Sequence, residues 1–125
     1  VKTLYDQKNS HDILLKDIAA GDLITMIDLS ETTVADHVIF VTDVQKEGAD
    51  DPKLIEYIHA LAWKKGGQAT RVVRKGSIVV TDKKKSLVEQ QWTECGKTGE
   101  ENETFLRASS SRICSVRRLN DRFFR

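Results

Sequence analysis

Cysteine, proline and aromatic residues are all scarce in this chain of 125 residues, which has two cysteines, one proline and an aromatic fraction of 6%. Two cysteines, Cys95 and Cys114, make no disulfide framework. They flank a polar, Glu-rich stretch and are read as free thiols in a reducing compartment, with a single bridge as the alternative. No aromatic falls between Gly67 and Gln91, so the aromatic interleaving that stacks single-stranded bases is missing there. No apolar run approaches the roughly 20 residues that span a bilayer, and no signal peptide opens the chain. The first residue is Val1 rather than Met, which suggests processing or truncation. Glycine-rich phosphate loops, internal repeats and low-complexity tracts are absent too.

What is present suits one ordinary domain over 1–125, with 39% hydrophobic and 31% charged residues. The net charge is only +1, but it is unevenly placed. From 105 to 125, Arg107, Arg112, Arg117, Arg118, Arg122 and Arg125 face a single acid, Asp121. This arginine-rich end fits either a polyanionic partner such as an RNA backbone or a solvated face.

Local patterns predict a short helix at 11–20, capped by Ser10 and stopped by Gly21. Two doubly buried strands follow, at Leu23–Leu29 and Val38–Val41. Pro52 to Lys65 reads as a helix. Asp51 caps it, Pro52 is its first residue, and Leu54, Ile55, Ile58, Leu61 and Ala62 form its apolar stripe; Gly66-Gly67 stops it. Further strands are expected at Ala69–Val73, Ile78–Val80 and Leu87–Val88, with a loop from Glu94 to Glu103. Arg112–Arg117 fits helix and strand equally. A helix between buried strands implies a crossover, hence an α/β fold with a mixed β-sheet and flanking helices.

Chemistry-bearing patterns are few. His11, His37 and His59 are far apart and lack metal-ligand spacing, and His59 reads as a helix-flank residue. Asp28 and Asp36 stand near strand ends, where paired acids hold a metal in nucleotide-transferring folds. No phosphate loop accompanies them, so they are read as edge and turn residues. A metal-dependent nucleotide-transferring enzyme is the alternative, and an RNA-binding module using the arginine-rich end is another. The predicted partner-binding residues are Trp63 and Trp92 as aromatic anchors, Lys83, Lys84 and Lys85 as phosphate contacts, and Arg112, Arg117 and Arg118.

Asp22–Leu29 and Thr32–Thr42 carry a family resemblance. An apolar strand closes on an aspartate. A Thr-rich connection, Ala35-Asp36 and a second apolar strand ending in Thr42 come next. The pattern resembles the ribosomal silencing factor (iojap-like) family, with His37 where that family usually has Tyr, Cys or a similar residue, and three lysines in place of its glycine-aspartate turn. The resemblance implies a nucleotidyltransferase-like topology without catalytic apparatus, and so no enzyme, no cofactor, no metal and no small-molecule substrate. It implies docking on the large ribosomal subunit at the universal protein number fourteen, as an assembly or anti-association (silencing) factor that represses translation. It also implies a mitochondrial matrix location, with a bacterial or plastid interior as the alternative.

Overall fold

The computed structural model describes residues 9–27, 37–65 and 68–120, with side chains at 61–71 left aside. It is an antiparallel β structure. Eight strands form one sheet: β1 (Ser10–Ile13), β2 (Leu23–Ile27), β3 (His37–Gly48), β4 (Asp51–Lys65), β5 (Gln68–Val79), β6 (Gln91–Glu94), β7 (Lys97–Thr98) and β8 (Ile113–Leu119). Their spatial order is β1-β8-β2-β3-β4-β5-β6-β7, and every pairing is antiparallel. From β2 to β7 the chain is a meander. β8 then returns across the molecule to pair with both β1 and β2. Among the described residues one α-helix, α1 (Glu103–Ser110), comes after β7 and packs on the sheet.

The expected α/β fold, with its crossover and flanking helices, is therefore corrected. The largest change is at 51–65, where a 15-residue strand replaces the predicted helix. On β4 the residues Ile55, Tyr57 and His59 are buried at alternate positions, while Glu56 and Ala60 are exposed. That period of two is a half-buried strand. Leu54 and Ile58, on the other face, are half-buried, and they complete an apparent helical stripe. Lys65 pairs with Gln68 at the ends of β4 and β5, so no helix runs up to 65; Gly66-Gly67, expected to stop one, lie outside the described residues.

Other elements differ in smaller ways. Residues 10–13 are a strand and Leu15–Asp17 a 3-10 turn, in place of the helix at 11–20. β2 is buried on both faces as expected, but β3 alternates, with Ile39 and Val41 buried and Val38 and Phe40 exposed. β5 runs unbroken through Gly76. Leu87–Glu89 is a 3-10 turn with a Ser86–Glu89 capping box, not a strand. The predicted loop after Glu94 holds β7 and the start of α1. Arg112–Arg117 lies in β8 apart from Arg112, so the open choice there falls to strand.

The core lies on one face of the sheet. Ile24, Met26, Ile39, Val41, Ile55, Tyr57, Ile78, Trp92 and Val116 point into it, and Leu87, Phe105 and Ala108 cover them. Asn102 caps α1 by accepting the backbone N–H groups of Thr104 and Phe105 through its side-chain oxygen. This fixes the first turn of α1 against β6. Cys95 (φ 53) and Gly96 (φ 77) make the tight turn from β6 to β7, both in the left-handed region that such a hairpin needs. Glu94 is thereby held at the end of β6, paired with Gly76 on one side and Lys97 on the other. Among the described residues, no helix is long and apolar enough to cross a membrane.

Candidate functional site

A buried carboxylate in an otherwise apolar face organises the site. Glu94 is 4% exposed, yet four polar side chains converge on it. The Tyr57 hydroxyl donates to Glu94 Oε1 at 2.8 Å, and the Thr104 hydroxyl donates to Oε2 at 2.7 Å. His59 Nε2 lies 2.7 Å from Oε1. The Arg74 guanidinium is further off, at 3.8 Å from Oε2. Burial alone would raise the Glu94 pKa; the hydrogen bonds from His59, Thr104 and Tyr57 outweigh it and bring it down to about 2. Burial, with the same carboxylate as the second cause, drives the Tyr57 hydroxyl well above the usual phenol range. Tyr57 is therefore a fixed donor.

An ionised Glu94 can only accept, so the proton between it and His59 sits on His59 Nε2. In the neutral ring, His59 Nδ1 is then an acceptor. It faces His37 Nε2 at 2.7 Å, the rings being edge to face with centroids 5.0 Å apart. His37 Nε2 carries the second proton, which leaves His37 Nδ1 with a lone pair. Among the described residues Nδ1 has no hydrogen-bond partner. Burial first, then the Arg107 guanidinium and His59, hold the His37 pKa down to about 4, against the pull of Glu94. His37 is thus an unprotonated base at neutral pH.

The strand register explains how residues distant in sequence meet. Phe40 pairs with Ile58, which brings the start of β3 alongside His59 on β4. Tyr57 and Glu94 both pair with Gly76, from opposite sides. A Cβ at Gly76 would lie 2.3 Å from the Tyr57 ring and hydroxyl. The glycine is what lets the tyrosine lie flat across β5 to reach Glu94. Gly76→Ala should accordingly destabilise the fold by about 1–3 kcal/mol, as overpacking does. Chemical denaturation should show this together with a changed tyrosine absorbance; an unchanged midpoint would mean that the ring crosses elsewhere.

The predicted site residues fall elsewhere. Trp92 is fully buried, donates its indole N–H to the Leu87 carbonyl and packs on Tyr57 and Phe105, so it is core and has no surface to offer a partner. Trp63 lies on β4 opposite Thr70, and its side chain is outside the described residues. Arg117 is buried, bound to Asp12 at 2.6 Å and to Ser10 through its hydroxyl and carbonyl. Arg118 grips both oxygens of buried Asp22. These two arginines tie β8 to the β1–β2 end of the sheet, and are not held out toward phosphate. Arg112 is exposed just before β8. Lys83, Lys84 and Lys85 lie in the turn after β5, with Lys83, Lys84 and Lys85 all at the surface. Asp28 and Asp36 lie outside the described residues.

His37, His59 and Glu94 are each visible in the sequence, but nothing local joins them. Taken as a strand, Tyr57 and His59 share one face, and that parity is the available signal. Among the described residues no group of three or more His, Cys, Asp or Glu side chains is placed to hold a metal. The facing His37 and His59 nitrogens are occupied by each other. Both cysteines are free; Cys95 is exposed, whereas burial pushes the Cys114 thiol up to about 12, which leaves it unreactive. No protein-family model matches the chain, and neither a curated protein nor a solved structure matches it.

Proposed function

We propose that the chain works by general-base catalysis, with His37 as the base and His59 and Glu94 as a buried proton relay behind it. The observation that carries this is the unbroken line of contacts, 2.7 Å from His37 to His59 and 2.7 Å from His59 to Glu94. A proton taken at His37 Nδ1 moves the Nε2 proton toward His59, and the resulting positive charge settles against Glu94. Each ring is oriented by the acceptor behind it, the logic by which a carboxylate holds a catalytic histidine in one tautomer. Arg107 adds a positive charge near His37 that would favour an anion developing in the transition state. The reaction class is hydrolysis or group transfer, in which a water, hydroxyl or thiol is deprotonated as it attacks.

A docking role on the large ribosomal subunit draws no support from this geometry. It rests on an α/β topology that the chain does not have, and on Trp92, Arg117 and Arg118, all engaged within the fold.

A simple ester reports on the base directly. With p-nitrophenyl acetate as probe, the pH–rate profile of the full chain should rise with a midpoint near 4 and be level through neutrality. Free imidazole-type catalysis would instead rise near 6.5, the ordinary histidine value. A limb at that ordinary value, or no turnover above the spontaneous rate, would contradict the proposal.

A further inference from the structure

A sizeable cavity lies away from the His37–Glu94 line and shares no residue with that relay. Its volume is about 630 Å³, within the range of small-molecule sites. β1 and the 3-10 turn after it form one wall, the segment 83–87 forms the other, and β8 supplies the floor. Ile13, Leu15, Leu87 and Val116 line it with apolar surface continuous with the core. Leu14 also lines it and is 66% exposed, an unusual position for a leucine beside a cavity.

The rim has the opposite character. Lys83, Lys84 and Lys85 stand along one side, and Lys16 also lines the cavity. Among the described residues none of these four ammonium groups has an ion-pair or hydrogen-bond partner. Two acids line the same cavity, Asp12 and Asp50, and Asp12 is already bound to Arg117 at 2.6 Å. The rim therefore carries an excess of positive charge directly beside apolar walls. Structural need does not explain three consecutive lysines there, because like charges side by side repel.

We infer that this cavity binds a small amphiphile, an apolar chain or ring carrying an anionic head group such as a carboxylate or phosphate. The apolar body lies over Leu14, Ile13 and Val116, and the head group meets the lysines of the 83–85 turn. Leu14 loses its exposure when the body is bound, which is the driving term; the lysines select the sign of the head group.

Decanoate, below the concentration at which it forms micelles, is a suitable probe. Titration calorimetry of the full chain should show one site. Decanol should bind about 10-fold more weakly, and decyltrimethylammonium not measurably. The double variant Lys84→Glu, Lys85→Glu should weaken decanoate binding by about 10-fold or more. Leu14→Ser should weaken decanoate and decanol alike, by roughly 10-fold. None of these three side chains belongs to the buried core, so circular dichroism should show an unchanged fold. Equal binding of decanol and decanoate, unaffected by the double charge reversal, would overturn the head-group assignment. Binding to vesicles containing phosphatidylglycerol without binding of decanoate would make this a membrane contact and overturn the small-ligand proposal. Absence of binding by every probe would overturn it as well.

Discussion

Glu94→Ala is expected to lose about 3–5 kcal/mol of stability in denaturant titrations, because it takes the shared acceptor away from several buried donors. The size reflects the donors left behind. The Tyr57 hydroxyl, the Thr104 hydroxyl and His59 Nε2 all lose their acceptor at once, inside a face otherwise filled by Ile55, Ile78 and Trp92. Each unsatisfied buried donor costs on the order of 1–3 kcal/mol. Part of that is recovered if water enters, which is why the sum does not reach its upper limit. Glu94→Gln keeps the shape and one acceptor oxygen, and should fall between wild type and alanine. A change below about 1 kcal/mol for Glu94→Ala would mean that the cluster is solvated and carries little of the fold.

The second large effect is on rate. Ester turnover by the His37→Ala protein should drop by roughly 10²–10⁴-fold, the usual contribution of a positioned general base. His37 is the first residue of β3 and only half-buried, so its removal leaves the core in place. His59→Gln has a different signature. The amide can still occupy the space between His37 and Glu94, but it cannot pass a proton on. Its rate should fall while the protein stays folded, and the pH–rate midpoint should move, because the charge that reaches His37 is no longer shared with Glu94. Because residues of one relay act as a unit, the double variant should lose little more than His37→Ala alone. Full activity in His37→Ala would remove His37 from the chemistry.

Local pattern suffices for some of this architecture and fails for the rest. β2 announces itself through an apolar run interrupted only by Thr25, and β3 through Val38–Val41. β4 misleads because both of its faces carry apolar groups. Leu54, Ile55, Ile58 and Leu61 satisfy helical spacing by coincidence, and only the alternation of Ile55, Tyr57 and His59 betrays the strand. The Ser86–Glu89 pair is a capping signature, masked by the strand-like look of Leu87-Val88 between them. The place of β8 cannot be read locally at all. Ser10 pairs with Leu119 and Ile24 with Val116, contacts that span about ninety residues or more. The site is obscured for the same reasons. His59 on a helix is a flank residue, but on a strand it lies between Tyr57 and His37. Glu94 in a loop is one solvated acid among several; at the end of β6 it is the acceptor for Tyr57, His59 and Thr104. The arginine-rich end resembles a free basic tail because the acids that bind it, Asp12 and Asp22, lie about a hundred residues earlier.

Nitrogen-15 NMR of the histidine side chains tests the central claim most directly, because it observes the relay protons themselves. At neutral pH His59 and His37 should each be in a single tautomer, with Nε2 protonated and Nδ1 bare. The His37 signals should keep that form on acidification until about pH 4. In Glu94→Ala, which leaves no acceptor behind His59, the fixed tautomer of both rings should be lost together, since each is oriented by the acceptor behind it. Rings that exchange freely between tautomers, or a His37 that titrates near 6.5 as an ordinary exposed histidine does, would contradict the relay.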